Sequence, residues 1–181
     1  MGFDLNMLVE PKFQDAPGHY RTGGAGIDML AELMDAAGVL DGDSRPPPPH
    51  PDWPEPGNRQ DRANDIIQHL EGGTPPAVPA TAEELEQCRQ FKAVFDAMVQ
   101  SRSPVPGKVP GYKFGSNEGW LVTPEECSLI AAALERLLAD LPDDLAEQIG
   151  WEDSVDALIE WIEDWMDYNR VAAAHGGYTV S

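Results

Sequence analysis

The sequence predicts a mainly helical α+β domain: about five packed helices and a small antiparallel sheet built from the chain ends and a 112–122 hairpin. Three observations carry that expectation. Val155, Leu158, Ile159, Ile162, Trp165, Met166 and Asn169 recur at helical spacing between Ser154 and Ala174, so they share one face. Strand-like runs are short and confined to 3–9, 112–122 and the last residues from His175 to Val180. No β-α-β alternation is present, which excludes a Rossmann-type parallel sheet. A chain of 181 residues is long enough for one domain with a real core, so residues 1–181 read as a single domain.

Taken in order, residues 3–9 partly alternate and predict a strand that Glu10 and Pro11 end. Residues 11–26 read as a loop closing on Tyr20, Arg21, Thr22, Gly23, Gly24, Ala25 and Gly26. A helix over Ile27–Ala37 places Ile27, Leu30, Met34 and Ala37 together, with Gly38 just past its end. From Asp41 to Asn58, seven prolines in eighteen residues forbid a helix interior or a sheet centre. This stretch (41–58) reads as a surface loop of polyproline II character, with Trp53 laid against the body.

Ala63, Ile66, Ile67 and Leu70 predict a helix over Asp61–Glu71, stopped by Gly72 and Gly73 and followed by a Pro/Gly loop at 72–80. Thr81 with Glu84 forms a capping box for a helix over Ala82–Ser101. Its stripe is Leu85, Cys88, Phe91, Phe95, Met98 and Val99. After a Pro/Gly loop at 102–111, Tyr112–Phe114 and Trp120–Val122 read as two strands of a hairpin joined by a Gly/Ser/Asn turn. Thr123, Pro124 and Glu126 then supply cap, first-turn proline and capping-box acid for a helix to Ala139. Cys127, Ile130, Leu134, Leu137 and Leu138 point inward from it. A connection containing Trp151 leads to the closing helix, expected to pack on the helices at 82–101 and 124–139.

Twelve basic residues against thirty-two acidic give a net charge of −20. Residues 122–181 hold fourteen acidic and two basic residues, whereas 81–121 are balanced at five of each. Such a field repels nucleic acid and anionic membrane and steers a basic protein surface. No apolar run reaches the roughly 18 residues of a membrane span. The N-terminus lacks the basic and apolar regions of a signal peptide, so cytoplasmic residence is expected. Cys88 and Cys127 both fall on apolar stripes and are expected to be buried free thiols.

Two candidate sites emerge. Tyr20, Arg21, Gly23 and Gly24 precede a helix, where free backbone N–H groups hold anions; with Asn117, Trp120 and His175 they make a candidate small-ligand or nucleotide site. Asp156, Glu160, Glu163, Asp164 and Asp167 make an acidic face on the closing helix that suits a basic partner. That face lacks the histidine of a di-metal pattern, so no metal site is expected. No cofactor motif and no catalytic constellation can be argued from spacing.

Met1-Gly-Phe-Asp-Leu5, Tyr20-Arg21, Thr123-Pro-Glu-Glu-Cys127 and Gly176-Gly-Tyr178 resemble a loose family of uncharacterised bacterial and phage proteins that open Met-Gly-Phe-Asp. Its members carry a Tyr-Phe-Arg-Asn-Asn segment followed by tryptophans; here Thr22-Gly-Gly-Ala-Gly26 stands in that place. The resemblance implies no activity, only a phage or bacterial accessory origin. The sequence thus predicts a non-enzymatic acidic interaction protein of inhibitor, immunity or anti-defence type. The alternative is a ligand-sequestering protein using residues 21–26 and 112–120.

Overall fold

Three helices begin at side-chain caps, two of them the caps that the sequence announces. Thr81 and Thr123 each accept a hydrogen bond from the backbone N–H three residues on, while Glu84 and Glu126 each accept one from the cap N–H, completing both capping boxes. Ser154 caps the closing helix by accepting from Ala157 N at 3.2 Å. The computed structural model describes residues 2–7, 19–42, 46–52, 54, 60–116 and 118–181. Their elements in order are β1 (Gly2–Met7), β2 (His19–Gly23), α1 (Gly24–Ala36), α2 (Gln60–Leu70), α3 (Ala82–Val99), a 3-10 turn (Gly111–Phe114), β3 (Trp120–Val122), α4 (Pro124–Ala139), α5 (Leu145–Gln148), α6 (Val155–Ala174) and β4 (Tyr178–Val180). The mainly helical α+β class is as expected. Trp53 and Asn117 lie outside the described residues.

The described chain falls into two compact units, Met1–Pro47 with Arg102–Ser181, and Pro48–Ser101. In the first, the four strands run antiparallel in the order β2-β1-β4-β3. Leu5 stands opposite Tyr20 on one side and Val180 on the other, and Val180 also faces Trp120. The sheet therefore does draw on both chain ends. Leu5, Met7, Trp120, Val122, Tyr178 and Val180 are buried, an alternation that gives the sheet one apolar face. Trp165 and Tyr168 of α6 join Tyr178 in a ring cluster, with centroids 5.3–5.9 Å apart. The Tyr168 hydroxyl donates to the Leu5 carbonyl at 2.7 Å, tying α6 to β1. α6 also packs along α4, whose Cys127, Ile130, Leu134 and Leu137 are buried. Each large side chain so buried contributes roughly 1.5–3 kcal/mol.

Two expectations need correction here. Tyr20–Gly23 is not a loop: it is strand β2, because pairing with β1 supplies its backbone with partners that no local pattern announces. α1 follows at once from Gly24 rather than Ile27. Tyr112–Phe114 is not a strand but part of a 3-10 turn, so β3 takes its partner from β4 and there is no 112–122 hairpin. The turn carries Lys113 inward, where it is fully buried and its ammonium donates to Glu126 Oε1 at 2.9 Å, Oε2 at 2.8 Å and the Leu121 carbonyl at 2.6 Å. A strand would have held Lys113 on the face opposite Tyr112 and Phe114. The short helix α5 is a further element that the sequence pattern does not announce.

Leu40, before the chain leaves the first unit, forms a parallel bridge with Val109, after its return. Asp41 N donates to the Val109 carbonyl at 3.0 Å, Val109 N to the Val39 carbonyl at 2.9 Å, and Gly111 N to Asp41 Oδ1 at 3.2 Å. The neck of the excursion is thus stitched shut within the first unit.

In the second unit Ala63, Ile66 and Cys88 form the buried centre, flanked by Ile67, Leu70, Ala80 and Leu85. Both cysteines are free and buried, as expected. The proline segment is accompanied by His50, whose ring meets Phe95 edge-on at 5.4 Å. Arg62 forks onto Glu84 at 2.6 and 2.8 Å and reaches the carbonyls of Val78 and Pro79. Together with the Thr81 N–H, the guanidinium holds the Glu84 carboxyl down to about 2. Because the folded value lies below the ordinary one, the stabilisation is complete above the ordinary carboxylate range and is lost as pH falls toward about 2. Glu84→Gln is expected to flatten that acid limb, read by urea unfolding at a series of pH values; an unchanged limb would remove Glu84 as its source.

Candidate partner-binding surface

The helical period of α6 sorts its residues cleanly. Leu158, Ile162, Trp165, Met166, Tyr168, Asn169 and Ala172 are buried, and Asp156, Glu160, Glu163, Asp164 and Asp167 are all exposed. Asn169, the polar residue on the inner face, is satisfied there: its amide donates to the Trp165 carbonyl at 2.9 Å and accepts from Tyr178 at 3.4 Å. On the outer face only Asp167 has an ion-pair partner among the described residues, Arg170 at 3.0 Å. Arg170 also reaches Glu135 of α4 at 3.3 Å. Exposed pairs of this kind contribute about 0–1 kcal/mol. The carboxylates therefore face water with their charge almost uncompensated.

Val155 departs from the expected pattern. Helical spacing predicts it on the buried face, yet 55% of it is exposed, because as the first helical residue it lies beyond the end of the packed stripe. With Leu141, Pro142, Asp143, Ala146 and Leu158 it lines a groove of about 120 Å³. Beside it Trp151 and Trp161, both half-buried, stack with centroids 5.1 Å apart. A second, larger cleft of about 290 Å³ lies where α1 meets the end of α5; its lining includes Glu32, Asp35, Leu40 and Gln148.

The other candidate residues are not brought together. Tyr20, Arg21 and Gly23 belong to β2 and Trp120 to β3, the two outer strands of the sheet. Three strand spacings of about 4.8 Å separate those edges. Trp120 is buried and its indole N–H donates to the Ser116 hydroxyl at 2.9 Å. His175 stands at the end of α6 with Nδ1 2.9 Å from the Val171 carbonyl. Gly24 opens α1.

Burial also decides the nucleophile question for the thiols. Desolvation raises both Cys88 and Cys127, Cys127 far beyond the ordinary thiol range, so neither offers a thiolate at neutral pH. Among the described residues no three His, Cys, Asp or Glu side chains gather as a metal site, and no helix is long and apolar enough to cross a membrane. The feature that sequence reasoning missed is the groove: its walls come from 141–146 and from α6, and no local pattern joins them. Compared with family models, curated proteins and solved structures, the chain matches none of them.

Proposed function

We propose that this is an acidic interaction protein, without catalytic activity of its own, that covers a basic surface on another protein. Inhibitors, immunity proteins and anti-defence proteins are the classes that work in this way. The reading is supported chiefly by one observation: Asp156, Glu160, Glu163 and Asp164 project from a single rigid helix with no ion pair to any described residue. Between Leu137 and Asn169 the chain carries eleven acidic residues and no lysine or arginine. A like-signed surface of this density repels itself and is offset best by a complementary partner. Complementary charge chiefly accelerates encounter and excludes wrong partners.

The test is isolation of the partner by crosslinking in cells, followed by purified binding measurements at rising ionic strength. Glu160→Lys with Glu163→Lys is expected to weaken binding on the order of tenfold at low salt, with a shallower salt dependence. A partner that bound wild type and variant equally, at any salt, would defeat the reading.

A further inference from the structure

We propose that the apolar groove at the foot of α6 receives one aliphatic side chain from a lysine- or arginine-rich segment of that basic partner. The inference rests on the reading above and adds where, and by what chemistry, the partner is gripped.

The groove is mainly apolar. Leu141, Pro142 and Ala146 form one side, Val155 and Leu158 the other, and Asp143 stands in the wall. Its volume of about 120 Å³ suits a single aliphatic side chain rather than a helix or a cofactor. Val155 is one of few large apolar side chains more than half exposed among the described residues, so apolar surface is left open at a place the helix pattern would have closed. Asp143 puts a carboxylate at the groove itself, and Asp144, Asp153 and Asp156, neighbours in sequence of its lining residues, are exposed.

The stacked tryptophans stand next to the groove's Ala146 wall. Trp151 N donates to the Ala146 carbonyl at 2.8 Å and its indole N–H to the Ser154 carbonyl at 3.2 Å. These bonds fix the ring at the corner between α5 and α6, where Trp161 stacks on it. Indole faces attract ammonium and guanidinium groups.

Charge decides among occupants. A second copy of this chain would bring its own −20 to an acidic rim. A nucleic acid or phosphorylated ligand meets the same repulsion. A neutral apolar peptide fills the groove but gains nothing from the rim. A basic segment with one aliphatic residue satisfies both.

The probe is a fluorescently labelled oligolysine peptide with one central leucine, compared with the same peptide carrying serine there, by anisotropy at low and physiological salt. The leucine peptide is expected to bind about tenfold more tightly. Val155→Glu should abolish that preference without weakening the serine peptide, since the variant adds a negative charge and alters an exposed residue. Equal binding of both peptides to wild type overturns the groove while leaving the acidic reading intact. Failure of both peptides to bind at low salt overturns the acidic reading itself. A concentration-dependent dimer in sedimentation that Val155→Glu dissolves also overturns the proposal, placing a second copy in the groove.

Discussion

Glu126→Gln is expected to lower the stability of the sheet-bearing unit by about 3–5 kcal/mol, the cost of stranding one member of a buried ion pair. Lys113 is completely buried, and its ammonium directs its donors to the Glu126 carboxylate and the Leu121 carbonyl. The carboxamide of that variant would still accept from the Thr123 N–H, so the α4 cap survives and the loss reports the charge. The companion Lys113→Met with Glu126→Gln should recover most of it, because no unpaired charge is then left inside. Burial already holds the Lys113 ammonium below the ordinary lysine range. In Glu126→Gln that depression deepens, so the unfolded chain binds the extra proton and stability should climb as pH rises toward the ordinary lysine value. Urea unfolding of the four members of the cycle measures this. A single-variant loss under about 1 kcal/mol would show that the pair is not the tie it looks to be.

Gly177→Ala is the second large effect. Gly177 sits at φ +89°, and a Cβ there would stand 2.1 Å from the Val122 carbonyl oxygen, with the Val122 and Thr123 carbonyl carbons at 3.2 Å. All three are backbone atoms of the segment joining β3 to α4, so the clash cannot be relieved by a rotamer change. The loss is expected to be roughly 3 kcal/mol or more. Gly72→Ala is the control: its φ is +90°, but a Cβ meets nothing within 4 Å. It should cost about 1–2 kcal/mol, the penalty of the left-handed backbone alone. Thermal unfolding followed by circular dichroism separates the two. Equal losses would mean that the approach of Gly177 to β3 is not close in solution.

What can be read in the sequence follows from interactions three or four residues apart. The starts of α3, α4 and α6 are legible because Thr81, Thr123 and Ser154 act on neighbouring N–H groups. The acidic face of α6 is legible for the same reason, since helical period alone sets it opposite Leu158 and Ile162. β2 is not, because Gly23 and the glycines that follow it suggest a turn and its only strong reason to extend is β1. Glu126 is recognisable as a capping residue; that it also neutralises Lys113 depends on a turn thirteen residues earlier folding inward. The groove escapes for a like reason: Val155 shows its use only once Leu141, Pro142 and Ala146 stand beside it.

The placing of β1 between β2 and β4 has a consequence for how the chain emerges during synthesis. β1 and β2 are made first and can pair at once, but the other edge of β1 must wait for Tyr178–Val180. At ordinary translation rates that interval is roughly ten to thirty seconds. Residues 48–101, whose contacts are local, are complete in the meantime, and the Leu40–Val109 bridge closes behind them. β4, made long after β1, is therefore the strand that seals the edge that β1 leaves open.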